Sequence, residues 1–245
     1  MLPEYAIIRE AATRIADAAS ATVQDLRERL IEHEPQFTDR MLGRIAEAMN
    51  GFRSRGVYWR AKTLTSGAPN SQEHRFGVDF LGVLSIDLPN YTVTKGFLVQ
   101  AKLLGKRSFR EEDRVRMLSQ CQKMLSMSPA SYVFTYSDSG IRVVPASSVL
   151  ASGRIDLRAY YSRSIERFYE EHFACFFGDR EVSEPSEELL AVLLARYEAR
   201  QGLWLGAESI EVGGERTQEP ETPVVRPQNP GLNRTDTALS RGLAG

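Results

Sequence analysis

Asp79, Gln100 and Lys102 are polar residues set in otherwise apolar stretches, and their types suit one kind of chemistry. A carboxylate with an amide or main-chain oxygen is a ligand set for a hard divalent cation, and an ammonium beside it can orient or deprotonate an attacking water. The bland reading is a salt bridge between Asp79 and Lys102 at a sheet end, or a lysine that simply faces water. The metal reading needs the three groups to converge, and it needs a second carboxylate. Both readings turn on how the flanking segments pair.

Gly77 to Asp87 and Thr92 to Lys102 read as two strands, with Leu88-Pro89-Asn90-Tyr91 as the tight turn between them. If Leu88 faces Tyr91 across a two-residue loop, Asp79 falls opposite Gln100, and Lys102 lies two positions further on. Side chains alternate along a strand, so Gln100 and Lys102 share a face, and a directly opposed Asp79 shares it with them. A slip of one residue would send Asp79 to the other face.

The surrounding elements follow from periodicity. Ile7, Ala11, Ile15, Ala18, Ala19, Val23, Leu26 and Leu30 recur at helical spacing until Pro35 interrupts. A second helix follows, capped by Thr38, buried through Phe37, Met41, Leu42, Ile45 and Met49, and closed by Asn50-Gly51. Short β-branched and aromatic runs predict strands at 57–65, 77–87, 92–104, 131–136 and 140–145. Val115, Leu118, Cys121, Gln122 and Leu125 place a helix at 110–127, and two more are expected at 163–177 and 186–203. The order predicts one α/β layered domain over residues 1–205. From 206 to 245 there is no aromatic residue, and Pro220, Pro223, Pro227 and Pro230 punctuate the segment, so a disordered tail is expected. Phe168, Phe173, Leu190 and Leu193 make the last two helices apolar enough to cover the sheet's second face; a homodimer interface is the alternative.

Composition narrows the classes. With 31 Lys+Arg against 32 Asp+Glu the net charge is -1, which argues against a protein that coats nucleic acid indiscriminately. No run of about 18 apolar residues occurs, so no membrane span is expected. The start, Met-Leu-Pro-Glu-Tyr, lacks the pattern of a secretory signal, and a cytoplasmic protein is expected. Two cysteines and three histidines without zinc spacing disfavour a structural zinc site. No Gly-x-Ser-x-Gly elbow, phosphate loop or Gly-x-Gly-x-x-Gly is present.

Gly77-Val78-Asp79 followed by Val99-Gln100-Ala101-Lys102 resembles the core motif of the PD-(D/E)xK nucleases, the restriction-endonuclease-like superfamily. The usual pattern has Glu or Asp where this chain has Gln100, and glutamine there is similar to the variant of the Mrr-type restriction endonucleases. The order of elements over residues 30–150 extends the resemblance. It implies a mixed β-sheet flanked by α-helices, with extra N- and C-terminal helices, and a DNA endonuclease that uses Mg²⁺ or Mn²⁺. By resemblance Asp79 is the central metal ligand, Gln100 and the Ala101 carbonyl complete the inner shell, and Lys102 positions the nucleophilic water. Many members carry a glutamate on the helix before the motif hairpin, which makes Glu34 the first candidate for the second carboxylate; Glu32, Glu47 and Glu73 are alternatives.

Substrate contacts are expected from the basic loop after Lys102, through Lys106, Arg107 and Arg110, and from Gln120 on the next helix. Arg53, Arg55, Arg60 and Lys62 would line the other wall, and His74 would sit beside the cleft if it is not a surface residue. No separate reader of base edges is visible, so target recognition falls to the domain itself, a second copy or a partner protein. The competing expectation is a catalytically silent DNA-binding or assembly module with too few carboxylates to hold metal, and Gln100 is the residue that raises it.

Overall fold

The computed structural model describes residues 3–66, 77–89, 91–105, 111–152, 156–184 and 186–210. Glu73, His74, Asn90, Lys106, Arg107 and Arg110, which the sequence singled out, lie outside them, as does 211–245. Among the described residues no helix is long and apolar enough to cross a membrane.

Two helices open the chain, α1 (Pro3–Arg27) and α2 (Glu34–Met49). After a short β1 (Arg53–Ser54) come β2 (Val57–Thr65), β3 (Phe80–Leu88) and β4 (Tyr91–Leu103), then α3 (Glu111–Met127), β5 (Ser131–Ser137) and β6 (Gly140–Pro145). The chain continues with α4 (Ala146–Ser152), β7 (Arg163–Ser164), α5 (Ile165–Phe173), α6 (Leu190–Arg196) and β8 (Gln201–Ser209). The strands form one mixed sheet in the order β1-β2-β8-β3-β4-β5-β6-β7. The hairpin pairs as the turn dictates, from Leu88 opposite Tyr91 to Phe80 opposite Val99. β4 and β5 are parallel, and α3 provides the crossover that such a pairing demands.

Helices cover both faces. On one, Phe80, Leu84, Phe97 and Val99 pack with Ile15, Phe37, Met41 and Phe168 from α1, α2 and α5. On the other, Leu81, Val83 and Leu98 pack with Met117, Val149 and Leu193 from α3, α4 and α6. The strict alternation of β3 residues between the two cores is the pleat at work. The expectation that the last two helices both cover the second face is therefore corrected: α5 lies with α1 on the first face, and α6 on the second.

The C-terminal part departs from the sequence reading. The helix expected over 186–203 is a short 3₁₀ turn (Glu187–Leu189) and the brief α6, after which the chain becomes β8. This strand runs between β2 and β3, antiparallel to the first and parallel to the second. Residues 206–209, assigned to the tail, belong to it. A strand buried on both faces shows no alternation, so Leu203, Trp204 and Leu205 read as the continuation of the leucine pattern of α6.

Thr38 is not the cap of α2 either. His33 occupies that position without a side-chain bond, and Pro35 stands in the first turn, where its missing N–H costs nothing.

Candidate functional site

The N-terminal ends of β3 and β8, the end of β4 and the first turn of α2 meet at one end of the central strands. Together they form a small open cleft lined by Glu34, Pro35, Thr38, Asp79, Ala101, Arg200 and Gln201. Asp79 sits one residue beyond the last β3–β4 pair, a small departure from direct opposition with Gln100. Its N–H donates to the Val99 carbonyl at 2.9 Å. Its Oδ2 accepts the Ala101 N–H at 2.7 Å and an amide N–H of Gln100. The carboxylate is thereby pinned to the strand that carries Gln100 and Lys102. Gly77 makes the approach possible: its φ is +71°, and a Cβ there would lie 2.9 Å from Cβ of Gln120.

Glu34 enters from the opposite side as the first residue of α2, where the helix dipole favours an acid. Its Oε2 accepts the Leu103 N–H at 2.8 Å, and its Oε1 stands 3.7 Å from Nζ of Lys102. Burial pushes the Glu34 carboxyl above the ordinary glutamate range; Lys102 opposes that shift and Asp79 adds to it. The Thr38 hydroxyl donates to the Glu34 carbonyl at 3.1 Å and lies 3.2 Å from the hydroxyl of Tyr136. Tyr136 is fully buried and stacks on Phe37 at 4.1 Å, which gives the first turn of α2 a rigid floor.

The donor set suits a hard cation. Asp79, Glu34 and Ala101 line one cleft, and two carboxylates with a main-chain carbonyl are the oxygen donor types that such an ion takes. Gln100 is 2% exposed, and its Oε1 is buried without a hydrogen-bond partner among the described residues. An orphaned buried carbonyl oxygen is costly unless a donor or a cation satisfies it. The charge is low, however: among the described residues there is no group of three or more His, Cys, Asp or Glu placed to hold a metal. Gln100 itself directs its amide nitrogen at Asp79 and at the Ala101 carbonyl, the latter at 3.3 Å.

Other expected positions are not in the cleft. Gln120 packs under Gly77 and does not line it. Arg55 pairs with Glu10 and Arg60 with Glu187, and neither lines the cleft. Arg53 lies over the ring of Tyr58. Glu32 and Glu47 do not line the cleft, which leaves Glu34 as the glutamate that does.

Sequence reasoning missed Arg200 and Gln201, which β8 brings to the cleft. The Gln201 N–H donates to the Asp79 carbonyl at 3.2 Å, and its side-chain amide donates to Asp39. Burial raises the Asp39 carboxyl and the nearby Arg200 opposes that shift. No local signal marks these residues, because their relation to Asp79 is created by strand pairing alone. Comparison with protein-family models, curated proteins and solved structures gave no match to this chain.

Proposed function

We propose that the protein is a divalent-metal-dependent DNA endonuclease of the PD-(D/E)xK, restriction-endonuclease-like kind. The observation that carries this reading is that Asp79, Glu34 and Ala101 line one cleft with Lys102 held against Glu34. Asp79, Glu34 and Ala101 would hold Mg²⁺ or Mn²⁺, with Gln100 Oε1 available as a further oxygen. The ion, when bound, supplies Lewis-acid polarisation of a phosphodiester and lowers the pKa of water. Lys102 orients the attacking water and offsets negative charge that develops on the phosphate. Glu34 holds Lys102 at its post and, once ionised, adds the second carboxylate.

Lys106, Arg107 and Arg110, on the loop that leaves the lysine strand, are proposed to contact DNA phosphates. A second copy or a partner protein would supply target selection. Restriction or anti-phage defence in the cytoplasm is the setting that the motif suggests.

A second reading, a catalytically silent binding or assembly module, draws on one specific feature. Gln100 donates to Asp79 where a carboxylate would repel it, so the site tolerates the absence of metal. The deciding experiment is cleavage of supercoiled and linear DNA by the purified protein in Mg²⁺ or Mn²⁺. Nicking that EDTA, Asp79→Ala and Lys102→Ala each abolish supports the endonuclease. Binding without cleavage, unchanged in both variants, supports the silent module.

A further inference from the structure

The described arginines fall into two groups. Some have an acidic partner close by, as Arg40 and Arg44 have Asp25, Arg55 has Glu10, and Arg163 and Arg167 share Glu171, and others have none within 4.0 Å among the described residues. Arg200 belongs to the second group. It lines the cleft beside two carboxylates and makes no ion pair within 4.0 Å among the described residues, Asp39 being near enough only to feel its charge. Its backbone is fixed, since its carbonyl accepts the Ser66 N–H at 2.9 Å and the next residue bonds to Asp79. A partly buried guanidinium that lines a cleft without an ion-pair partner is available to an anion that enters it.

Its position says what that is. In the sheet order β8-β3-β4, Asp79 stands between Arg200 on one side and Lys102 on the other. Cations on both flanks of a carboxylate pair suit a chain of anions that passes through the cleft. A nucleic-acid backbone carries one phosphate per nucleotide, and guanidinium is the fork-shaped donor that fits it. Resting on the phosphodiesterase reading of the cleft, we infer that Arg200 binds the backbone phosphate next to the reacting one, on the flank of Asp79 away from Lys102. Arg200 is thus a substrate-positioning cation delivered by the last described strand. It touches DNA, and it does not touch the attacking water.

The test uses the full chain, a labelled DNA duplex, and two readouts. Binding is followed by fluorescence anisotropy in Ca²⁺ across a range of salt, and cleavage is measured in Mg²⁺. Arg200→Ala is expected to raise KM about 10- to 100-fold with kcat much less affected, the pattern of lost uniform binding. The slope of log K against log salt should fall by about 0.9, the signature of one lost phosphate contact. Arg200→Lys should recover the salt slope and only part of the affinity. Arg196→Ala, which removes an exposed arginine outside the cleft, should leave both readouts at the wild-type value. Wild-type slope and KM in Arg200→Ala, or an equal fall in Arg196→Ala, would overturn the inference while the endonuclease stands. Salt-sensitive binding lost in Arg200→Ala, in a protein that never cleaves, would keep the inference and sink the endonuclease. A protein that neither binds nor cleaves DNA sinks both.

Discussion

Lys95 and Lys102 stand seven positions apart on β4 and so point to opposite faces of the sheet. Lys95 is 3% exposed. Its ammonium donates to the carbonyl of His172 and, at 2.8 Å, to that of Phe177, which secures the end of α5 and the turn after it. Around it the ring of His172 lies 5.0 Å from Phe97 and 5.3 Å from Phe177. Lys102, with 19% of its side chain exposed, faces the carboxylate of Glu34, which lines the cleft. Lys95 is the more deeply buried of the two, and their partners differ as well. Main-chain carbonyls fix an ammonium in place, whereas a carboxylate beside a cleft leaves it a charge to exchange with a ligand.

That contrast breaks if the two lysines respond alike. Lys102→Ala should lower cleavage about 10²- to 10³-fold, as loss of a preorganised charge does, with the melting temperature barely changed. Lys95→Met should do the reverse. It leaves two carbonyls without their donor and should cost about 2–4 kcal/mol in urea unfolding, while the folded fraction cleaves at the wild-type rate. A loss of rate in Lys95→Met at full stability would show that the two ends of β4 are functionally coupled.

Protonation sharpens the same comparison. Burial, with the Lys95 ammonium beside it, holds the His172 imidazole well below the ordinary histidine range. Its folded pKa is depressed, so the stability it contributes is present above the unfolded value of about 6.5 and drains away as pH falls below it, by up to about 1.4 kcal/mol per pH unit. Equilibrium unfolding of His172→Phe at several pH values should show that slope removed. Glu34 has the opposite sign. Its folded pKa is raised, so its contribution is present at low pH and lost as pH rises through that value. In EDTA at neutral pH, Glu34→Gln should therefore melt slightly above wild type, with the gap closing toward acid. In Mg²⁺ the ionised glutamate is the useful form, and the acid limb of the cleavage profile should lie above the ordinary glutamate range.

The hairpin was legible because its register depends on local chemistry. Pro89 at the turn and apolar runs on each side fix Leu88 against Tyr91, and every pair back to Phe80 and Val99 follows. The approach of Asp79 to Gln100 is a consequence of that register. Glu34 was harder, since only the resemblance pointed to a glutamate before the hairpin. Arg200 and Gln201 were out of reach, because β8 hides its strand character under two-sided burial and its neighbours are chosen by the sheet. Of the second basic group, Arg55 and Arg60 pair with carboxylates from distant parts of the chain and do not line the cleft, a pairing no local pattern announces.

The place of β8 also sets a timetable. A chain emerging from the ribosome folds its earlier segments first, and β2 and β3 then wait for a strand that is made only after β4 to β7. Such distant pairing is slow to form. Until it forms, Asp79 lacks its bond to Gln201, and the cleft lacks one of its walls. An incomplete nascent chain would hold the motif residues but not the assembled cleft, a built-in delay between making the chain and arming it.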